Sequence, residues 1–203
     1  KGFGKEPMPP HSLPLCMIGA GLLWVGWFGF NAGSQLAADG KAGLAFLTTH
    51  TASASAMIAW AAIEWLHRGK PTVLGAATAA VAGLVAITPA CAFVTPLSSI
   101  LVGAGVSVVC YAAVVYLKPI FGYDDSLDVF GVHGVGGTWG ALATGLFIAD
   151  FALPEGRSWG DQVMIQIQSI GFTALFACGM SYGILLLLRA LMGDLRVPQE
   201  DEY

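Results

Sequence analysis

The chain has 203 residues, of which 56% are hydrophobic and only 11% are charged, and its mean hydropathy is +0.70. A soluble domain carries about 25% charged residues, because water must solvate its surface. The composition therefore excludes an ordinary soluble domain, and it also excludes a disordered chain, which needs the opposite balance. The 27 glycines suit apolar helices that pack closely in a membrane. A net charge of -4 leaves no basic patch for nucleic acid.

Long uncharged runs lie between the charged residues and predict helices that span a lipid bilayer. One crossing needs about 20 apolar residues. The run 71–117 is long enough for two crossings, with Pro89 and Pro96 on either side of the turn between them. We therefore predict an all-α membrane protein with six transmembrane helices at 13–36, 43–66, 72–88, 97–117, 128–149 and 162–191.

Lysine and arginine are distributed unequally between the two sides of this arrangement. The side that holds both ends of the chain carries Lys1, Lys5, Arg68, Lys70, Lys118, Arg189 and Arg196. The other side carries only Lys41 and Arg157. By the positive-inside rule, we expect the N-end of this segment and its C-tail to be cytoplasmic, in a multi-pass protein of the cell (inner) membrane.

The first predicted helix contains GWFGFNAGS, in which aromatic and polar residues recur at helical spacing. Trp27, Phe30, Asn31 and Ser34 are predicted to share one face, near the outer end of the span. Aromatic rings attract a cation and a hydroxyl accepts a hydrogen bond from it, so this face suits a small cation. The alternative is an aromatic belt at the membrane interface combined with a helix–helix hydrogen bond. The opposite face is expected to admit a second helix through Gly26, Gly29 and Gly33.

The fifth predicted helix contains DVFGVHGVGGTWG, which sets His133 inside the span. Polar groups inside a membrane are costly and are functional hypotheses by default. A neutral imidazole both donates and accepts a hydrogen bond, whereas the alternative is a structural histidine bonded to a neighbouring helix. Asp128 is interpreted as the N-cap of this helix. Small residues on the histidine's face leave room for a partner helix or a narrow lumen, and these are Gly136, Gly137, Gly140 and Thr144.

Other polar residues and motifs carry weaker predictions. Thr88 precedes Pro89 at the end of the third predicted helix, where it either lines a pore or satisfies backbone carbonyls. Glu64 is expected to reach water at the cytoplasmic interface. The sequence contains no GxSxG, HExxH or phosphate-loop motif, and its four cysteines lack metal-ligand spacing. It therefore predicts neither an enzyme nor a metal or cofactor site.

Four blocks of sequence resemble the ammonium transporter family (Amt/MEP/Rh superfamily, Amt branch): GWFGFNAGS (26–34), AITPACAFVTP (86–96), DVFGVHGVGG (128–137) and GLFIAD (145–150). The likeness runs in order through nearly the whole chain. It implies that 1–193 is the C-terminal half of the transmembrane domain, comprising helices six to eleven of an eleven-helix protomer. Residues 194–203 would then begin the cytoplasmic tail. Because that fold uses an inverted repeat, we expect the chain to be a segment of a longer protein.

The resemblance also implies roles for five residues. Phe30 resembles one of two stacked gate phenylalanines, and Ser34 resembles the hydroxyl of an outer ammonium site. His133 resembles the second histidine of a pore pair, while Trp27 and Thr88 match further pore-side positions. The family's other pore histidine and gate phenylalanine belong to its first half.

The function implied by the resemblance is transport of ammonium or ammonia across the lipid bilayer through a channel. NH4+ is expected to be recruited at the outer site and deprotonated, and NH3 to be conducted past the pore histidine. A homotrimer is implied, as is a PII-type signal protein that docks at the cytoplasmic face. Two alternatives stay open: an ammonium sensor or receptor domain without significant flux, and a structural subunit that binds no ligand.

Overall fold

The computed structural model describes residues 8–198, and within this range the chain is helical apart from turns and one isolated β-bridge between Val94 and Ile148. Two π-helical turns extend the helices, since Ala113–Leu117 joins Pro96–Ala112 to Lys118–Phe121 and Phe130–Gly134 leads into Val135–Phe147. The prediction of an all-α protein is confirmed, and every predicted segment contains a helix. The helices are α1 (Leu13–Gly33), α2 (Gly40–Arg68), α3 (Val73–Ile87), α4 (Pro96–Ala112), α5 (Lys118–Phe121), α6 (Val135–Phe147) and α7 (Trp159–Met192).

Local sequence signals determine where the long helices begin. A side-chain oxygen of the preceding residue accepts a backbone N–H of the first turn, which satisfies one of the amides that a helix start leaves unpaired. α2 ends at Gly69, whose φ of 77° lies in the left-handed region that glycine adopts without strain. The residues that cap helix starts in this way are Ser12, Asp39, Thr72, Thr95 and Ser158.

In the described part of the chain, three helices are long and apolar enough to cross a membrane by length and composition, namely Leu13–Gly33, Pro96–Phe121 and Trp159–Met192. Val73–Ile87 is a shorter apolar helix. These helices agree with a membrane protein that crosses the bilayer more than once. The count of six crossings stays a prediction.

The centre of the molecule is formed by α2, α3 and α4, with α6 packed on α3 and α4. Their backbones approach closely where glycine faces a neighbour. A Cβ added to Gly83 of α3 would lie 2.6 Å from the Cα of Ser53 on α2. One added to Gly140 of α6 would lie 2.8 Å from the Cα of Ala86 on α3. Such small-residue contacts hold membrane helices together, because lipid provides no hydrophobic drive for their association.

The outer helices are much less covered than this centre. α1 packs on α2 and α3, yet only Ala20 and Asn31 of its 21 residues are buried. α7 packs against α6, and every residue from 171 to 192 is exposed. The close helix contact predicted for the glycine face of α1 is not found within residues 8–198, because an added Cβ would meet nothing within 4 Å at Gly26, Gly29 or Gly33.

Glu64 does not reach water as expected, since its exposed fraction is 4%. Its carboxylate accepts the backbone N–H of Thr72 at 2.6 Å and the hydroxyl of the same residue at 2.9 Å. These bonds lie at the N-terminus of α3, where the helix dipole favours a negative charge. Glu64 therefore ties the end of α2 to the start of α3, a role that appears only once the two helices form a hairpin.

The N-cap prediction for Asp128 is wrong. The backbone N–H groups of Val129 and Phe130 donate instead to the carboxylate of Asp125, at 2.9 and 2.8 Å. Asp128 has a φ of 55° and forms an ion pair with Lys118 at 2.7 Å. A residue with left-handed backbone lacks the extended conformation of an N-cap, so the cap shifts to the acidic residue three positions earlier.

Candidate functional site

An open groove along α1 connects the motif of the first helix with the motif that precedes α6. One part of it is a cavity of about 530 Å³ that includes Trp27 and Phe30 in its lining. The other part is a cavity of about 640 Å³ that includes His133 and residues of α3. Gly19 and Leu23 line both cavities, so the two parts adjoin along α1, and we call them together the groove.

The floor of the groove is a stripe on α1. Gly19, Leu23, Trp27 and Phe30 follow at i, i+4, i+8 and i+11, which places them on one helical face. Glycine leaves open space at one end of the stripe, and the aromatic rings define the other end. The stripe is apolar throughout, so the surface between the two motifs offers little to hydrate an ion. Gly26, predicted to lie opposite the aromatic residues, also lines this groove.

The aromatic end is held by a hydrogen bond between α1 and the end of α3. Nε1 of Trp27 donates to Oγ1 of Thr88 at 2.7 Å, and that hydroxyl donates to the carbonyl of Leu84 at 2.8 Å. Thr88 therefore satisfies a backbone carbonyl and also orients the indole. The ring centroids of Trp27 and Phe30 lie 5.8 Å apart at 62°, an edge-to-face pair, and the side chain of Phe30 is 62% exposed.

The structure separates Asn31 from its predicted companions. Its side chain is buried, and its Nδ2 donates to Oγ1 of Thr49 on α2 at 2.9 Å. Around the helix axis, Phe30 at i+3 and Asn31 at i+4 project to opposite sides of the Trp27 side chain. α2 packs on the side to which Asn31 projects. The prediction of one shared polar face is thus wrong for this residue. The alternative of a helix–helix hydrogen bond is confirmed for it.

Ser34 caps the C-terminal end of α1 and is exposed. Its hydroxyl donates to the carbonyl of Phe30 at 2.5 Å. Because the hydroxyl proton points back along the helix, the oxygen lone pairs stay available to accept a hydrogen bond from outside. Ser34 lies one turn beyond Phe30, past the residues that line the groove.

His133 lies in the π-helical turn Phe130–Gly134 and is exposed to the groove. Within residues 8–198 its ring makes no hydrogen bond, so the alternative of a structural histidine tied to a neighbouring helix finds no partner there. Gly136 and Gly140, predicted to share its face, are buried instead against α4 and α3. A π-turn takes more residues than an α-turn, so the spacing predicted from an α-helix does not hold across it.

The ion pair of Lys118 and Asp128 was missed in the sequence, although Asp128 lines the groove beside His133. The two residues are ten positions apart across a loop, a separation without helical periodicity. Gly19 and Leu23, by contrast, lie four residues apart on a predicted helix, so their shared face could have been predicted from the sequence. Among the described residues, no group of three or more His, Cys, Asp or Glu forms a candidate metal site.

Comparison with known proteins gives a consistent relationship. The family model for the Ammonium Transporter Family matches residues 1–203. An ammonium transporter of Aquifex aeolicus is 50% identical over 95% of this chain and 46% of its own length. An ammonium transporter of Mycobacterium tuberculosis is 54% identical over 100% of this chain and 44% of its own length.

Solved structures show the same relationship in three dimensions. A structure titled Sensor Amt Protein has a TM-score of 0.89 at 33% identity, covering 95% of this chain and 47% of its own. Saccharomyces cerevisiae Mep2 has a TM-score of 0.87 at 32% identity, covering 95% of this chain and 45% of its own. The chain thus spans about half the length of the relatives that it matches.

Proposed function

The chain belongs to the ammonium transporter family, and on that premise we propose that it forms one wall of a pore that moves ammonium across a membrane as NH3. The observation that carries this proposal is the pair of adjoining cavities along α1, one lined by the Trp27 and Phe30 rings and the other by the His133 imidazole. Three of the five residues that the family resemblance singled out line these cavities. A fourth, Thr88, orients one of the rings.

The outer end of the groove would recruit the cation. The rings of Trp27 and Phe30 offer cation–π attraction, and the outward lone pairs of Ser34 accept an N–H from NH4+. Phe30 would act as the gate, because its ring stands free at the point where the groove begins. The bond between Trp27 and Thr88 keeps the indole from turning away.

Comparing two free-energy costs indicates that NH4+ loses a proton before it passes the apolar stripe. Moving an ammonium-sized ion into a medium of low dielectric costs of order 20 kcal/mol in the idealised limit. Removing its proton at pH 7 from a group with a solution pKa of about 9 costs roughly 3 kcal/mol. An apolar stripe such as Gly19 and Leu23 would therefore pass NH3 far more readily than NH4+.

His133 would guide NH3 along the inner part of the groove. A neutral imidazole accepts a hydrogen bond at one nitrogen and donates one at the other, which matches the N–H groups and lone pair of NH3. Its ring has no partner within residues 8–198, so both nitrogens are available to a solute or to a second histidine from the rest of the protein.

We further propose the architecture that the resemblance implies. The helices would form six crossings equivalent to helices six to eleven of the family fold, with 1–193 in the membrane and 194–203 beginning the cytoplasmic tail. The open glycine face of α1 and the exposed part of α7 support this, because the other half of such a protomer would cover them. Residues 1–7 and 199–203, with Lys1, Lys5 and half of the tail, lie outside the described residues.

The excess of basic residues on the side that holds both ends of the chain supports cytoplasmic termini in the cell (inner) membrane. Assembly as a homotrimer and docking of a PII-type signal protein near the tail complete the proposal. Size-exclusion chromatography with light scattering tests the homotrimer. Co-purification of the signal protein with the full-length protein, with and without its tail, tests the docking.

The transport proposal is tested with His133→Asp in the full-length protein, reconstituted in proteoliposomes. A carboxylate would hold a cation in place of NH3, so ammonium flux should fall and the selectivity between ammonium and other monovalent cations should change. The matched control is His50→Asp, the same substitution on α2 where His50 packs on Trp24 at 5.4 Å, away from the groove residues. Unchanged flux and selectivity in His133→Asp would count against a pore role.

A sensor domain is the second candidate, because one of the similar structures is titled Sensor Amt Protein. The likeness to Mep2 is nearly as high, so the comparison does not separate the two functions. Such a protein would bind ammonium without carrying it. In the same proteoliposomes, ammonium-dependent stabilisation without an ammonium-induced current or pH change would select the sensor. Absence of both stabilisation and flux would select a structural subunit.

A further inference from the structure

We propose that Lys118 and Asp128 are positioning residues for His133, because their ion pair holds the π-helical turn that carries the imidazole. This inference rests on the proposed function, and it assigns a role to Lys118 and to Asp128, the charged residue that begins the histidine motif. Three observations support it: the packing of two π-turns on each other, the bonds made by Lys118, and the backbone conformation of Asp128.

Two π-helical turns of different helices lie against each other beside the groove. A Cβ added to Gly131 of the second turn would lie 2.9 Å from Cγ2 of Val114 in the first, and 3.8 Å from Cβ of Ala113. π-turns are rare and occur frequently at functional sites. Here the close contact lies two residues before His133, so a displacement of the first turn reaches the imidazole directly.

The ion pair joins these turns at their ends. Lys118 follows the last residue of the first turn, and Asp128 precedes the second turn by two residues. Nζ of Lys118 lies 2.7 Å from Oδ1 of Asp128 and also donates to the carbonyl of Asp125. The two side chains are only 22% and 28% exposed, so solvent screens the pair less than it screens a surface ion pair.

Asp128 itself is held in an unfavourable backbone conformation. Its φ of 55° is in the left-handed region, which residues other than glycine adopt only at a cost, although Asp and Asn tolerate it best. Such conformations persist where surrounding bonds over-determine them. Its carbonyl accepts the N–H of Val132 at 2.9 Å, next to His133, so releasing the ion pair frees the start of the turn.

Asp128 and His133 line the same cavity, so a movement of the turn changes the position of the imidazole in that cavity. If the pair is broken, the start of the turn is held, among the described side chains, only by the carboxylate of Asp125, which accepts the backbone N–H groups of Val129 and Phe130. A misplacement of about 1 Å at a functional group costs on the order of a hundredfold in favourable cases. A partly exposed pair should cost less, and we expect on the order of a tenfold loss of ammonium flux.

The test uses the full-length protein in proteoliposomes with Lys118→Met and Asp128→Asn. The asparagine variant keeps the side-chain shape and the tolerance for left-handed backbone, so it removes the charge alone. Both variants should lower ammonium flux about tenfold and alter its pH profile, and the double variant should be no worse than either single one. The control is Asp124→Asn, the same change at an exposed position of the same loop, which should leave flux unchanged.

Rescue separates positioning from a general loss of folding. Lys118→Arg should retain flux, because it keeps the positive charge opposite Asp128 and leaves the left-handed backbone at Asp128 unaltered. The melting temperatures of Lys118→Met and Asp128→Asn are compared with those of Lys118→Arg and Asp124→Asn, which serve as the reference for folded protein. Loss of flux in Lys118→Arg, or equal loss in Asp124→Asn, would overturn the proposal.

A second readout does not depend on transport. The rate at which diethyl pyrocarbonate modifies His133, followed by mass spectrometry in detergent, should change in Lys118→Met and Asp128→Asn but not in Asp124→Asn. If the unaltered protein carries no ammonium while these rates still change, the transport proposal fails and the positioning role stands. If the unaltered protein carries ammonium while neither flux nor modification rate responds, the positioning role fails.

Discussion

Replacing Gly140 by alanine tests whether α6 and α3 are in backbone contact. The added Cβ would lie closest to the carbonyl oxygen of Ala86, and 2.8 Å from the Cα and 2.9 Å from the carbonyl carbon of the same residue, whereas ordinary contacts begin at 3.4 Å. One helix must therefore move by at least the difference between 3.4 and 2.8 Å. Because the opposing atoms belong to the backbone, no side-chain rotation relieves the clash.

The magnitude follows from two opposing effects. Overpacking a well-packed interior costs about 1–3 kcal/mol. Alanine is favoured over glycine inside a helix by about 1 kcal/mol. Since backbone atoms oppose the new methyl group, the upper part of the overpacking range applies. We expect Gly140→Ala to lower the free energy of unfolding by about 1–2 kcal/mol.

Gly137→Ala provides a matched control on the same helix, one turn earlier. The nearest atom to its added Cβ is Cγ1 of Val85 at 3.9 Å, an ordinary contact, so only the helix preference remains. This variant should be stabilised by up to about 1 kcal/mol. Reversible unfolding of the full-length protein in mixed detergent micelles, followed by tryptophan fluorescence, measures both variants. A Gly140→Ala protein as stable as Gly137→Ala would refute the close contact.

Two further predictions concern α1 and the loop after it. In a double-mutant cycle of Trp27→Phe and Thr88→Val, the free energies of unfolding should show a coupling of about 0.6 kcal/mol, a typical value for hydrogen bonds between membrane helices; zero coupling would contradict the bond. The pKa of Asp39 is lowered from 3.8, because the backbone N–H of Ala42 and the amide of Gln35 donate to its carboxylate. Its stabilisation is therefore present above pH 3.8 and is lost as pH falls through the lower folded-state value. In thermal melts, Asp39→Asn should have a lower melting temperature than the unaltered protein at neutral pH and the same melting temperature in strong acid. An equal difference in melting temperature at both pH values would show that the charge of the carboxylate does not contribute.

The sequence by itself determined the class of the protein and the position of its helices. Charged residues mark the ends of apolar runs, and capping residues such as Asp39 and Thr72 lie next to the helices that they start. These signals act over a few residues, so they can be recognised without knowledge of the fold. The motif residues Trp27 and His133 were found in the same way, because a polar or aromatic group in an apolar run is conspicuous.

Only the tertiary structure decided which side of each helix those residues face. Asn31 and Phe30 are neighbours in sequence, yet one bonds to α2 and the other borders the groove. Glu64 is buried because α3 folds back over it. The pairing of Lys118 with Asp128 depends on two π-turns, which change the helical spacing without any pattern in the residue types. A helix's own sequence specifies its period but not the direction from which its neighbours approach, and that direction is set by packing between distant segments of the chain.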